Sequence, residues 1–133
     1  MMNDPVSDRL GLPDPLIAVV GATDSKGKYG GTIYRDLKAK GYRVVAVNPL
    51  RATVDGDEAF KSVSDIPETP DIINVVVPPR RTMRVLEQAA ALDDVAVWIQ
   101  PGAADADVRE RVAELGIPVL IDACIMVEAR VRP

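Results

Sequence analysis

The 133-residue chain contains no histidine, one cysteine and only five aromatic residues. The lack of histidine excludes an imidazole base, a histidine-bearing triad, a phosphohistidine and a histidine-ligated metal. A single cysteine excludes an intramolecular disulfide. No apolar run approaches the ~20 residues of a membrane-spanning helix, and the first 30 residues lack the basic start and apolar segment of a signal peptide. We therefore expect a cytoplasmic protein without membrane contact.

The charge balance of the chain argues against nucleic acid as a partner. The chain has 16 basic and 20 acidic residues, a net charge of −4. Proteins that bind duplex nucleic acid neutralise phosphates with a clustered excess of Lys and Arg, so we expect no nucleic-acid partner. The composition, 47% apolar and 27% charged, is typical of one globular domain. Pro5, Gly11 and Pro13 predict an irregular N-terminal arm over residues 1–13, followed by a single domain over residues 14–133.

Five short apolar runs rich in Val and Ile recur along the chain. Successive runs begin 22 to 29 residues apart, the spacing that β-strand, helix, β-strand units require. Their continuous apolarity indicates strands buried on both faces, as in a parallel sheet covered by helices. The pattern predicts a doubly wound, Rossmann-like α/β domain of about five strands, at residues 16–20, 43–47, 72–77, 95–99 and 117–121.

The connections between these runs carry helical periodicity, with one exception. Ile33 and Leu37 fall four residues apart after the first strand, and similar spacing follows the third and fourth strands. Residues 56–67 lack this pattern. For them we predict at most a turn or two of helix near residues 58–61 and a short turn at residues 64–66.

The carboxyl ends of the strands are where ligands bind in such sheets. The first strand leads into Gly21-Ala22-Thr23, followed by Lys26, Lys28, Tyr29 and Gly30 and then a helix. Glycine lets a phosphate approach the backbone, and a helix N-terminus attracts its charge. The loop matches neither the dinucleotide nor the P-loop fingerprint, so an ordinary flexible turn stays open beside a phosphate site.

The other strand ends offer further polar groups. The second strand ends in Val47-Asn48-Pro49 with Arg51 nearby, where nicotinamide-binding domains carry an acidic residue for the ribose. The remaining ends contribute Val77, Pro78, Pro79, Arg80, Arg81, Thr82, Gln100 and Gly102. Roles without a ligand stay open at these positions. The arginines could simply face water, and Thr82 could cap the helix that follows. Lys26, Lys28, Arg51, Arg80 and Arg81 nevertheless all follow the first three strands, which suits a ligand with several phosphates.

Several of these segments resemble the small stand-alone CoA-binding proteins, which are similar to the N-terminal CoA-binding domain of the succinyl-CoA synthetase α subunit. The resemblance covers residues 14–129. The segments that carry it are Val19-Val20-Gly21-Ala22, Lys28-Tyr29-Gly30, Val47-Asn48-Pro49, Trp98-Ile99-Gln100-Pro101-Gly102 and the Asp122 to Glu128 tail.

The resemblance implies that the chain binds coenzyme A or an acyl-CoA and has no catalysis of its own. It places the diphosphate over the loop of residues 21–30, with Lys28 and Arg51 as the main charge partners. It places the 3′-phosphate along the second strand end, at Val47, Asn48, Pro49 and Arg51. The path of adenine and pantetheine would follow Val77, Pro78, Pro79 and Thr82. The far end of the pantetheine would point toward Gln100 and Gly102. No catalytic residue and no metal ligand is expected.

Two other functions stay open on the sequence. The fold and Arg51 would suit an NADP-dependent oxidoreductase, although the dinucleotide fingerprint and a substrate domain are missing. A regulatory or scaffold protein could also use a nucleotide-binding fold for protein contacts. The sequence leaves open whether the chain pairs with itself as a homodimer or with another protein.

Overall fold

A computed structural model describes residues 4–133 as one α/β domain around a seven-stranded sheet. The strand order is β3-β4-β2-β1-β5-β6-β7, and every neighbouring pair is parallel except the antiparallel β3–β4 pair. The strands are β1 (Leu16–Val20), β2 (Arg43–Val47), β3 (Thr53–Val54), β4 (Asp57–Phe60), β5 (Ile72–Val75), β6 (Ala96–Ile99) and β7 (Val119–Ile121). The predicted doubly wound, Rossmann-like fold is confirmed, with two more strands than the five expected.

The two additional strands correct the prediction for residues 56–67. Instead of a helical turn near residues 58–61, the chain forms a β3–β4 hairpin whose turn residues Asp55 and Gly56 have φ angles of 52° and 79°. Positive φ at both central positions defines the hairpin turn that Asp-Gly favours. β4 then pairs with β2, with Val47 opposite Phe60. A 3-10 turn at Val63–Asp65 follows, close to the predicted turn at residues 64–66.

Within residues 4–133, four α-helices cover the two faces of the sheet. They are α1 (Tyr29–Ala39), α2 (Pro79–Ala90), α3 (Ala106–Leu115) and α4 (Ile125–Glu128). Along β1, Ile17 and Val19 pack on the face covered by α1 and α4, while Ala18 and Val20 pack on the face covered by α2 and α3. Because both faces of the sheet are covered, these side chains are removed from water. Burial of a large aliphatic side chain contributes about 1.5–3 kcal/mol to the free energy of unfolding.

The segment before β1 packs on the domain. Within the predicted arm of residues 1–13, the first three lie outside the described residues, and Ser7–Gly11 form a 3-10 helix. Val6 is fully buried, and Arg9 donates to the backbone oxygens of Asp71 and Asp94 at 3.1 and 2.7 Å. The boundary between residues 13 and 14 stays a prediction. Within residues 4–133, the helices are all too short or too polar to cross a bilayer.

Candidate functional site

A cavity of about 700 Å³ opens at the carboxyl ends of β1, β2, β4 and β5. It lies between the loop that joins β1 to α1, the ends of β2 and β4, and the first turns of α2. Its volume is within the range of ~300–1,000 Å³ that small-molecule sites occupy. The residues that line it are Val20, Gly21, Thr23, Ser25, Lys28, Tyr29, Gly30, Val47, Asn48, Pro49, Leu50, Lys61, Ser62, Val76, Val77, Pro78, Arg81, Arg84, Val85 and Gln88.

Two glycines let helix α1 begin directly against the end of β1. Gly21 has a φ of 106°, and a Cβ there would lie 2.8 Å from the carbonyl oxygen of Val76. A Cβ on Gly30 would overlap the carbonyl oxygen of Gly21. Among residues 4–133, no side chain caps the first turn of α1, whose N-cap is Lys28. The uncapped N–H groups and the helix dipole make this end of the cavity suited to an anion.

Asn48 holds the shape of the cavity floor through its own hydrogen bonds. Its Nδ2 donates to the backbone oxygen of Ala22 at 2.9 Å, and its Oδ1 accepts the N–H of Leu50 at 2.9 Å. Its backbone N–H donates to the backbone oxygen of Phe60 at 2.8 Å. Asn48 therefore ties together the carboxyl ends of three neighbouring strands.

Arg51 lies beside the cavity but does not line it. Its guanidinium donates to Ser25 Oγ at 2.9 Å and lies 3.8 Å from an Asp24 carboxylate oxygen. The other Asp24 oxygen accepts the N–H of Asp55 at 2.8 Å. Arg51 and the β3–β4 hairpin thus hold the loop between β1 and α1 in place.

The hairpin is also tied to α1 by ionic hydrogen bonds. Asp57 accepts from Lys38 Nζ at 2.8 Å and from the Tyr34 hydroxyl at 2.7 Å. The bonds from Lys38 and Tyr34 lower the pKa of the Asp57 carboxyl below its ordinary value. Burial, reinforced by the Asp57 carboxylate, raises the pKa of the Tyr34 hydroxyl. The outer flank of the cavity therefore depends on charged groups near the surface.

The charge of the cavity wall is entirely positive. In the described part of the chain, four cationic residues and no Asp or Glu line it; the four are Lys28, Lys61, Arg81 and Arg84. None of these four forms an ion pair with any residue in the range 4–133. Several cations elsewhere do form ion pairs, as where Arg111 contacts Glu87 at 2.7 Å and lowers the pKa of that carboxyl. Across the described part of the chain, no three His, Cys, Asp or Glu side chains gather as metal ligands.

The structure brings most of the predicted site residues to one cavity and leaves some outside it. The predicted residues that line it are Gly21, Thr23, Lys28, Tyr29, Gly30, Val47, Asn48, Pro49, Val77 and Pro78. Those that do not are Ala22, Arg51, Pro79, Thr82, Gln100 and Gly102. Of the five clustered cations expected from the sequence, only Lys28 and Arg81 belong to the lining.

Thr82 and Gln100 are instead buried within the fold. Thr82 Oγ1 donates to the backbone oxygen of Ala103 at 2.7 Å, and Thr82 lies inside α2, not at its cap. Gln100 Nε2 donates to Asn74 Oδ1 at 2.7 Å, and its Oε1 accepts the N–H of Ile125 at 3.3 Å. The ends of β6 and β7 are therefore closed by internal hydrogen bonds.

Several cavity residues were not predicted from the sequence, most of them on α2 or directly after β4. Lys61 and Ser62 follow β4, one of the two strands that were not predicted. Arg84 and Gln88 lie three and seven residues after Arg81 in α2, so the three side chains share one face of the helix. That spacing was a usable signal, although nothing in the sequence indicated that this face borders a cavity.

Comparison with known proteins gives a consistent result. A family model described as a CoA binding domain matches residues 16–130. Acetate–CoA ligase (ADP-forming) I of Archaeoglobus fulgidus is 34% identical over 103 residues, which are 77% of this chain but 15% of the ligase. The chain thus spans a small part of that enzyme's length.

Relatives of similar length also exist. The uncharacterized protein YneT of Bacillus subtilis is 29% identical over 111 residues, 84% of this chain and 82% of YneT. The solved structure of cell-free ID.343 from Thermus thermophilus superposes with a TM-score of 0.81 at 36% identity, covering 96% of each chain.

Proposed function

The chain belongs to the CoA binding domain family, and from that premise we propose that it binds coenzyme A or an acyl-CoA in the cavity at the ends of β1, β2, β4 and β5, without catalysing a reaction of its own. The CoA phosphates lie at the loop of residues 21–30 and near the cations of the wall. The acyl group is carried as part of the ligand.

The observation that carries this proposal is the charge of the cavity. Four cations and no carboxylate line it, in a chain with 20 acidic and 16 basic residues. Unpaired cations in a shared cavity repel one another, so an anionic ligand with several charges relieves that repulsion. A ligand with a diphosphate and a separate phosphate has the matching charge.

The N-terminus of α1 suits the diphosphate. Gly21 and Gly30 let the backbone approach closely, and Lys28 stands at the N-cap of the helix. Backbone N–H groups at an uncapped helix start donate to phosphate oxygens, and the helix dipole adds to the attraction. Across the cavity, Pro49 and Val77 offer apolar surface for an adenine ring.

Two observations support binding without catalysis. The cavity lining contains no carboxylate or thiol, and the chain contains no histidine, so the hydroxyl groups of Thr23, Ser25 and Ser62 have no imidazole or carboxylate base among the lining residues. The similar length of YneT and the Thermus thermophilus protein indicates that this domain also occurs without the remainder of a ligase.

Calorimetric titration of nucleotide-free protein with CoA, acetyl-CoA, NAD and NADP tests the proposal. We expect CoA and acetyl-CoA to bind and NAD and NADP to bind at least tenfold more weakly. Lys28→Ala should weaken CoA binding about tenfold, because a charge-assisted hydrogen bond is worth about 1.5–3 kcal/mol. Lys26→Ala removes a charge from the same loop but outside the cavity lining and serves as the matched control. Absence of CoA binding at millimolar concentration, with NADP bound, would show that the proposed ligand is wrong.

A further inference from the structure

We infer that Lys61 and Arg84 form a subsite for a phosphate monoester on the ribose of the bound nucleotide, and that this subsite, not Arg51, makes the protein prefer a 3′-phosphorylated ligand. The inference rests on the proposed function, because it concerns the same cavity. It assigns the preference to two residues outside the segments that carry the family resemblance.

Strand β4 puts Lys61 beside the end of β2. The two strands run parallel with Val47 opposite Phe60, and the Asn48 N–H donates to the Phe60 oxygen at 2.8 Å. Lys61 is the next residue after Phe60 and lines the cavity. In doubly wound domains the ribose of a bound nucleotide lies at the end of the second strand. A phosphate on that ribose would therefore lie at the strand end next to Lys61.

Helix α2 supplies Arg84 to the same part of the cavity. Arg84 stands one turn before Gln88 on the cavity-lining face of the helix. Gln88 Oε1 accepts the N–H of Val63 at 3.4 Å, and Val63 follows Lys61 by two residues. This bond ties the segment after β4, which carries Lys61, to the helix face that carries Arg84.

The acids nearest to this subsite in the hydrogen-bond network have other partners. Asp65 accepts from Ser62 Oγ at 3.0 Å, and Glu87 is bound by the guanidinium of Arg111 at 2.7 and 2.8 Å. Neither acid lines the cavity. Lys61 and Arg84 are exposed and form no ion pair with any residue from 4 to 133. Both charges are thus available to a dianionic group, which two cations neutralise better than one.

Arg51, in contrast, is engaged with the loop between β1 and α1. Its bond to Ser25 Oγ at 2.9 Å and its contact with Asp24 direct the guanidinium to that loop. Ser25 lines the cavity and Arg51 does not. Arg51 is therefore a positioning residue for the loop that receives the diphosphate, and its loss should weaken every diphosphate ligand alike.

Titrations of the full chain with CoA and dephospho-CoA, and with adenosine 3′,5′-bisphosphate and 5′-AMP, test the assignment. We expect the wild-type protein to prefer the 3′-phosphorylated member of each pair by about tenfold or more. Lys61→Ala and Arg84→Ala should each reduce that ratio severalfold, and the double variant should bring it close to one. Lys61→Arg should keep the preference. Arg51→Ala should weaken both members of the CoA pair equally and leave the ratio intact.

Lys26→Ala and Arg80→Ala remove exposed cations outside the lining and should leave the ratio unchanged. An unchanged ratio in the Lys61→Ala/Arg84→Ala double variant would overturn the subsite, as would a preference lost on Arg51→Ala alone. Equal wild-type affinity for CoA and dephospho-CoA would overturn it as well, while leaving CoA binding itself established. Lack of any CoA binding would instead refute the proposed function, and this inference with it.

Discussion

The two halves of the sheet's carboxyl edge carry similar residues and have different structures. After β1, β2, β4 and β5 the edge opens into the cavity, whereas after β6 and β7 it is closed by Gln100 and its partners. Both halves have polar side chains and glycines directly after buried strands. A polar residue at a strand end therefore indicates a ligand only if the fold leaves that residue without a partner of its own.

The two halves also differ in what stabilises them. In the closed half, Gln100 is buried and bonds the buried Asn74 of β5, whose Nδ2 has no hydrogen-bond partner within residues 4–133. In the open half, glycine backbone contacts fix the loop between β1 and α1, and charged contacts at the surface fix its flank. Substitutions in each half should therefore have different consequences for stability and for binding.

The largest effect is expected at Gly30. In Gly30→Ala the new Cβ would overlap the Gly21 carbonyl oxygen, and neither a Cβ nor a backbone carbonyl can rotate away by itself, so α1 must move away from β1. We expect a loss of about 3 kcal/mol in the free energy of unfolding, at the upper end for an overpacked site, together with loss of CoA binding. Urea denaturation and calorimetric titration measure the two quantities.

Gly11→Ala is the matched control, because a Cβ there meets no atom within 4 Å and the residue lies away from the cavity. It should change neither quantity. A Gly30→Ala protein as stable as the wild type would show that close contact between α1 and β1 is not what forms the open half.

An intermediate effect is expected at Gln100 in the closed half. Gln100→Leu leaves the buried N–H of Ile125 and the side-chain oxygen of Asn74 without their partners. We expect a loss of about 2 kcal/mol in the free energy of unfolding, with CoA affinity changed by less than about threefold. Denaturation and titration of the same preparation check both.

Adding Asn74→Val to Gln100→Leu removes both unpaired polar atoms of Asn74, so only the Ile125 N–H stays without a partner, and should recover part of the lost stability. The opposite pattern for Gln100→Leu, normal stability with a large loss of CoA affinity, would mean that Gln100 contacts the ligand, as the family resemblance implies. The closed half would then be part of the binding site.

The smallest effect is expected at Asp57, on the flank of the open half. The folded state lowers the pKa of this carboxyl through Lys38 and Tyr34, relative to an ordinary value of 3.8. The stabilisation is therefore complete above about pH 4 and is lost as pH falls through the lower pKa of the folded state. Because the side chain is 42% exposed, we expect less than about 1 kcal/mol.

Unfolding free energies of the wild type and Asp57→Asn, measured from pH 7 down to pH 2, should converge at the acid end. Asp93→Asn changes an exposed carboxylate without a hydrogen bond or ion pair in the described part of the chain and should give a constant difference. A gap between wild type and Asp57→Asn that widens with acid would refute the role assigned to the Asp57 contacts.

The sequence predicted the framework of the site well because its signals are local. Runs of buried Val and Ile marked five strands, and glycines at positions 21 and 30 marked the loop before α1. The hairpin of β3 and β4 was missed although Asp55-Gly56 is a hairpin signal, because the two strands have only two and four residues. Missing β4 also hid Lys61, whose place beside β2 depends on pairing between strands.

By itself, the amino-acid sequence determined the fold class, the edge of the sheet at which the cavity opens, and the exclusion of histidine chemistry. The tertiary structure decided which polar groups at that edge are free. Arg51 and Gln100 each bond a residue 26 positions earlier in the chain, and such partners are set by the packing of separate elements. A residue's type states which bonds it can make, but its neighbours in space decide whether those bonds are already made.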